Sequence, residues 1–324
     1  MDAPVDAPPP PRQLGLEVDQ PDGFDQGEQI ARVTPFGVGV VTLTFPWNVL
    51  EPNGNGFDQN ALGLLEFGMG FYRGLGVKVV LSLPVVDTIK TLVPSDLAGK
   101  ALDSPQVIAR AKALIDKVVP LCGTELEYLV LSNEVDINLA QPNAPTWAQL
   151  TTLTAAEATE VHATRAEVKT GVSVTANALV SANADAIAAL HANDVAFVTY
   201  YHAGNFGNGS TDVAADLTMI VGATDRPVVF KEFGYATGAQ VGGSAQGQSD
   251  FITAAFAAWD SHADRIPLLV YSRMFDGDLA KCTQQAADYN DPGDQAFIQF
   301  LCTLGLRGYD DTAKPAWSTF TTLA

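Results

Sequence analysis

Along this chain, apolar residues gather into short, nearly continuous runs, and between the runs they spread out to a three-to-four spacing. The runs are Leu14–Val18, Val40–Phe45, Val77–Leu83, the Tyr128–Leu131 centre of a segment from Leu126 to Asp136, Val172–Thr175, Val195–Tyr201, Pro227–Glu232 and Ile266–Tyr271. Runs this short, rich in Val, Phe and Tyr and lacking polar alternation, read as strands covered on both faces. Pro267 is tolerable in the last of them only because it sits at the very start.

The intervening segments read as helices. They are Gln26–Val33, Leu62–Leu75, Pro105–Val119, Thr146–Lys169, Ala184–Ala192, Thr211–Val221, Gln248–His262 and Asp294–Leu304. In Pro105–Val119, for example, Val107, Ile108, Ala111, Leu114, Ile115 and Val118 make one apolar face. Strand and helix alternate without a composition shift that would mark a second domain. That predicts the α/β class and a single-domain (β/α)8 barrel over residues 13–324. A doubly wound open sheet is the alternative, but no glycine-rich phosphate loop follows the first strand. Residues 1–12 are rich in Asp, Ala and Pro, with prolines at 8–11, and are expected to form a disordered, extended linker.

Composition narrows the partners. Asp and Glu number 37 against 18 Lys and Arg, a net charge of −19 in 324 residues, which argues against a nucleic-acid or anionic-membrane surface. No apolar run is long enough for a membrane span. The cysteines, Cys122, Cys282 and Cys302, make neither a disulfide framework nor a metal motif. They leave room for one bond, with Cys282–Cys302 a candidate. A monomer without cofactor or metal is expected. The proline-rich start resembles the tether that follows a cleaved secretion or lipoprotein signal, so a secreted or cell-surface tethered protein is expected.

Candidate chemistry lies where buried runs break into polar residues. Tyr128–Leu131 breaks into Ser132, Asn133 and Glu134; Val228-Val229-Phe230 breaks into Lys231, Glu232, Phe233 and Gly234. The carboxyl ends of barrel strands are where such folds carry their chemistry. Either glutamate alone could be a solvated loop acid. Two of them at two strand ends match the demand of glycosidic bond cleavage for one protonated and one ionised carboxyl group.

With these residues the chain resembles the clan A retaining glycoside hydrolases. Asn133-Glu134 is similar to the pair in which the family's Glu is acid/base and its Asn binds the sugar 2-hydroxyl. Glu232 within Phe230-Lys231-Glu232-Phe233-Gly234 resembles the nucleophile strand. Phe45-Pro46-Trp47-Asn48-Val49-Leu50-Glu51-Pro52, followed by Gly56-Phe57-Asp58, resembles the second-strand segment closing one end of the cleft. Tyr200-Tyr201 stands where the family places a tyrosine bonded to the nucleophile. The resemblance implies retaining, metal-independent, endo-acting cleavage of a β-linked polysaccharide or oligosaccharide. It does not extend to the arginine that many members carry near the end of strand 2. Nor does it reach the tryptophan that usually floors the reactive subsite from strand 8, where Tyr271 and Ser272 stand.

The resemblance also implies site roles. Glu134 and Glu232 are the expected catalytic pair. Asn133, Tyr201, His202, Trp47, Tyr200, Tyr235, Arg273 and Glu17 are the expected substrate-binding residues, with Tyr201 preferred over Tyr200 by strand parity. Trp147, Phe206 and Phe275 are further stacking candidates, whereas Trp259 and Trp317 are expected in the outer core. Lys231 neighbours Glu232 on a strand and is expected to point away from it. Asp19 is expected to be a solvated loop acid and Asp136 a loop or capping residue. Two other classes stay open: a metal-dependent barrel hydrolase using Glu134, Glu232, Asp136 and His202, and a non-catalytic carbohydrate-binding barrel.

Overall fold

A computed structural model describes residues 12–18, 23–202 and 212–324. Most of the proline-rich start, together with Asp19 and Phe206, lies outside the described residues. The barrel strands are β1 (Gln13–Leu16), β2 (Val38–Thr44), β3 (Lys78–Ser82), β4 (Leu126–Ser132), β5 (Lys169–Thr175), β6 (Ala196–Tyr201), β7 (Val228–Gly234) and β8 (Leu268–Tyr271). Each pairs in parallel with the next in the chain, and β8 pairs with β1, closing the ring. This is a (β/α)8 barrel, as the alternation of runs implies.

Side-chain alternation sorts the strand residues into two apolar layers. Val40, Val80, Tyr128, Val130, Phe197, Val229, Leu268 and Val270 pack together as the filling of the barrel. Their sequence neighbours, among them Val41, Leu129, Val198, Phe230 and Leu269, join the larger core under the helices. Strands buried on both faces therefore carry no polar alternation, which is why they read as continuous apolar runs.

The outer ring includes α1 (Gln26–Val33), α2 (Gln59–Gly74), α3 (Pro105–Val118), α4 (Trp147–Thr164), α5 (Ala184–His191), α6 (Val213–Gly222) and α7 (Ala245–Ser261). Local chemistry marks their starts. The Ser104 hydroxyl accepts from the Val107 amide, with Pro105 at the first helical position. Thr146 and Gln149 form a reciprocal capping box at α4. That helix stops at Thr164, short of the expected Lys169, because β5 already begins at Lys169. After β8 come α8 (Leu279–Asp288), α9 (Gln295–Cys302) and α10 (Pro315–Leu323). Of these, only α9 was expected from the sequence.

One buried acid stands out in the outer layer. Glu157 on α4 is 1% exposed, its Oε2 has no hydrogen-bond partner among the described residues, and burial pushes its carboxyl well above the ordinary range. Below the unfolded carboxyl pKa both states are protonated. As pH rises past it, the unfolded chain ionises Glu157 while the fold resists, so this residue's contribution is lost with rising pH. Glu157→Leu should therefore stabilise the protein, and by more at pH 8 than at pH 4. Urea denaturation at the two pH values checks this, and an equal effect at both would place an ionised Glu157 in the fold.

Candidate active site

The carboxyl ends of the strands open into a cavity of about 470 Å³ lined by, among others, Glu17, Asp87, Asn133, Glu134, Thr199, Tyr201, Glu232 and Arg273. Two devices set its floor. Beyond β3 the chain makes a small hairpin, Val86–Asp87 with Lys90–Thr91, which continues the pairing with the end of β4. The Asn133 amide donates to the Val86 carbonyl at 2.9 Å, and the Thr88 amide to the Asn133 carbonyl at 3.2 Å. Thr88 and Glu134 both adopt left-handed backbone, at φ 49° and 44°. Conformations of this kind cost about 1–3 kcal/mol each and persist where surrounding structure imposes them.

Glu134 is held from both sides. Its Oε1 accepts from Thr199 Oγ1 at 2.7 Å and its Oε2 from Thr88 Oγ1 at 2.9 Å. Burial, then the negative charge of Glu232, raise its carboxyl to about 7, against the opposing pull of the two threonine hydroxyls and Lys231. Asn133 donates from Nδ2 to Asp87 Oδ1 at 2.8 Å.

Glu232 sits in a β-bulge. Leu269 pairs with Phe230 and Tyr271 with Phe233, so Val270 alone faces both Lys231 and Glu232; on the other side, Val198 pairs with Phe230 and Thr199 with Glu232. The extra residue cancels alternation, and the two successive side chains turn to the same side. The expectation that Lys231 points away is thereby corrected: Lys231 Nζ lies 2.5 Å from Glu232 Oε1. Tyr201 donates its hydroxyl to Glu232 Oε2 at 2.7 Å. Burial alone would raise the Glu232 carboxyl. The charge and hydrogen bond of Lys231, with the Tyr201 bond and the charge of Arg273, outweigh it and hold the group below the ordinary carboxylate value.

Of the remaining expected binding residues, Asn133, Tyr201, Arg273 and Glu17 line the cavity. The others do not. Tyr200 points to the opposite side of β6, fully buried, with its hydroxyl donating to Asp216 at 2.7 Å and its ring stacked on Phe233. Trp47 is also fully buried, its Nε1 donating to Glu51 Oε2 at 2.9 Å, because its turn packs inward rather than rimming the cavity. His202 stacks on Tyr235 and on Phe251, and Tyr235 lies tilted against Phe251, away from the cavity. Phe275 is buried edge-on to Phe24, and Trp147 opens α4 without reaching the cavity. Asp136 accepts from the Thr175 amide and hydroxyl at 2.9 and 2.6 Å, a structural role as expected. With Asp136 and His202 both outside the cavity lining, the four residues of the metal-dependent reading do not share the cavity.

Sequence reasoning missed Asp87, Thr88, Thr199 and the whole wall opposite the strand ends. Asp87-Thr88 is the first polar break after the Val77–Val86 stretch, a signal of the same kind as Asn133-Glu134. The wall comes from the segment after β8: Gln285 and Tyr289 at α8, and Phe297, Phe300 and Leu301 on α9. A Cys282–Cys302 disulfide joins the two helices, and Ala236, Val241, Ala286, Ile298, Phe300, Leu301 and Leu304 pack around it as a small core of their own. Arg273, at φ 84°, ties the wall to the barrel by donating to the Leu301 carbonyl at 3.0 Å and to Gln285 Oε1 at 3.2 Å.

Fold and cavity together define a (β/α)8 barrel with two half-buried strand-end glutamates in unequal environments. Solved structures of this kind are similar to it. A GH5_18 protein from Bifidobacterium longum subsp. longum ATCC 55813, in complex with Manβ1-4GlcNAc, matches at 14% identity over 96% of this chain and 77% of its own, with a TM-score of 0.74. A GH5_18 protein from Streptomyces cattleya, in complex with GlcNAc, matches at 15% identity over 97% and 80%, with a TM-score of 0.73. An exo-β-1,4-mannosidase from Opitutaceae bacterium strain TAV5 matches at 17% identity over 96% and 59%, with a TM-score of 0.70. Likeness at these identities establishes the fold. No protein-family model and no curated protein matches the chain.

The disulfide closes a loop with a sequence separation of 20. Replacing both cysteines with serine should lower stability by about 3 kcal/mol through the freed chain entropy of the unfolded state. Urea denaturation measures this, and an unchanged midpoint would mean that the apolar packing holds the wall without the bond.

Proposed function

We propose that the protein is a retaining glycoside hydrolase that cleaves a β-linked sugar by double displacement, with Glu134 as acid/base and Glu232 as nucleophile. One observation carries the reading: two half-buried glutamates line one cavity, one raised to about 7 and the other held below the ordinary range. Environments that push two carboxyl groups apart assign acid and base. In the first step, ionised Glu232 attacks the anomeric carbon while Glu134 gives its proton to the departing oxygen. In the second, Glu134, now ionised, takes a proton from water, which attacks the same carbon and releases Glu232. Tyr201 steadies the carboxylate that attacks and leaves.

The finer reading is a short β-linked oligosaccharide, with β-mannosides as the first candidates. Its support is the cavity of about 470 Å³, closed on one side by α8 and α9, a volume suited to a small ligand rather than a long polymer. The mannose-containing ligand and the mannosidase activity of the similar structures point the same way. Endo action, expected from the sequence, finds less support in such a cavity than attack near a chain end. The Cys282–Cys302 disulfide supports a secreted or cell-surface setting, where such bonds persist.

The pH dependence follows from the two carboxyl groups. The acid must hold its proton, so kcat/KM should fall as pH rises through about 7, the value for Glu134. The nucleophile must be ionised, so activity should fall again only when pH drops through the lowered value of Glu232. Initial rates on β-1,4-mannobiose, whose departing alcohol needs the proton, check this, and an alkaline limb above pH 9 would remove Glu134 as the acid.

Substitution separates the roles. Glu232→Ala should abolish turnover without unfolding the barrel, and azide should restore some activity with inversion at the anomeric carbon. Glu134→Ala should slow mannobiose cleavage roughly 10²–10⁴-fold. An aryl mannoside with an acidic phenol should keep its first step, so a burst precedes slow turnover and azide speeds the second step with retention. Equal losses on both substrates, with no rescue, would end the assignment of Glu134.

A further inference from the structure

Lys231 is 2% exposed, on a bulge that directs it to the same side as the glutamate next to it. A buried ammonium is costly unless carboxylates surround it. Here Glu232 Oε1 lies 2.5 Å from its Nζ, and the charges of Asp87 and Glu134 act on it as well. The other nearby cation, Arg273, spends its guanidinium on the Leu301 carbonyl and Gln285. The remaining groups around the pair are neutral hydroxyls: Tyr201 on Glu232, Thr88 and Thr199 on Glu134, and Tyr289 beside Thr88. Glu17 adds a further carboxylate to the lining near Tyr201.

We propose that Lys231 is the positioning residue that decides which of the two glutamates carries the proton, by contacting Glu232 directly while remaining one residue removed from any bond-making atom. The inference rests on the roles given above to Glu134 and Glu232. The two carboxyl groups share one cavity and are both half-buried, so burial alone would not favour ionisation of one in particular. A cation in contact with one of them breaks that near-equality, because Coulomb attraction falls with distance and, among the described residues, Lys231 forms its ion pair with Glu232. The bulge is what puts the cation there. A regular strand would turn Lys231 and Glu232 to opposite sides and leave Glu232 with a neutral phenol as its bonded partner.

The test uses Lys231→Met, which keeps the volume and removes the charge, and Lys231→Arg, which keeps the charge. Carbon-13 NMR of protein labelled at the glutamate carboxyl carbons reads both midpoints without any substrate, with Glu134→Gln and Glu232→Gln assigning the signals. In the wild type, Glu232 should stay ionised through the range in which Glu134 titrates. In Lys231→Met, the Glu232 midpoint should rise by at least about one pH unit, a tenfold change in its ionisation equilibrium. The acidic limb of kcat/KM on 4-nitrophenyl β-mannoside should rise with it, at little change in KM. Lys231→Arg should keep the wild-type order. A merely structural lysine predicts a lower melting temperature with both midpoints unmoved, and that result in a folded Lys231→Met overturns the proposal. Should Lys231→Met not fold, Lys231→Arg and the wild type decide: wild-type Glu232 titrating at or above Glu134 overturns it. A fully active Glu232→Ala would end the nucleophile assignment instead, and would leave the NMR result on Lys231 readable in its own right.

Discussion

Two carboxylic acids sharing a water-poor cavity cannot both ionise freely, because each charge is poorly solvated and each raises the other. Much of the structure around Glu134 and Glu232 follows from that constraint. Glu134 is surrounded by hydroxyl groups, which can serve either protonation state, as donors to a carboxylate or as acceptors from an acid. Glu232 is surrounded by a cation and a phenol that both favour its anion. The difference between the two glutamates lies in the partners supplied by β6, β7 and the hairpin after β3, not in depth of burial.

Holding those partners requires backbone that an ordinary strand or helix does not offer. Thr88, Glu134 and Arg273 line the cavity and all have positive φ without being glycine. β7 breaks its register at the nucleophile candidate. Such strain is sustainable because the barrel beneath is filled by Val40, Val80, Tyr128, Val130, Phe197, Val229, Leu268 and Val270, none of which takes part in the cavity. The packed interior carries stability, and the strand ends depart from regular geometry above it.

The fold was legible because both faces of each strand are apolar, leaving runs whose length and order announce a barrel. Glu134 and Glu232 were legible for a related reason: each is an abrupt polar break at the end of such a run. Residues that depend on local backbone were not. Strand parity correctly put Tyr201 rather than Tyr200 toward Glu232, since β6 is regular there, but it turned Lys231 the wrong way because β7 is not. Two adjacent charges within an otherwise apolar strand were the available signal of a bulge. The aromatic candidates failed differently. Trp47, Phe275 and Tyr200 satisfy the core as well as they would a sugar, and ring type alone cannot tell a platform from a packing residue.

The wall of the cavity differs in kind from the floor. Its helices come from one continuous stretch after β8 and are stapled to each other, and they meet the barrel through Arg273, through Phe300 against Tyr201 of β6, and through Ala236 and Val241 after β7 in the shared apolar core. Floor and wall are thus separate in the chain but joined by packing. Changes within residues 279–302 can reshape the cavity, but any that move Phe300 are felt at Tyr201 and, through its hydroxyl, at Glu232. In a lineage of such barrels, this one segment would be free to diversify only where its seat on β6 is kept, so cavity shape and carboxyl environment would evolve together.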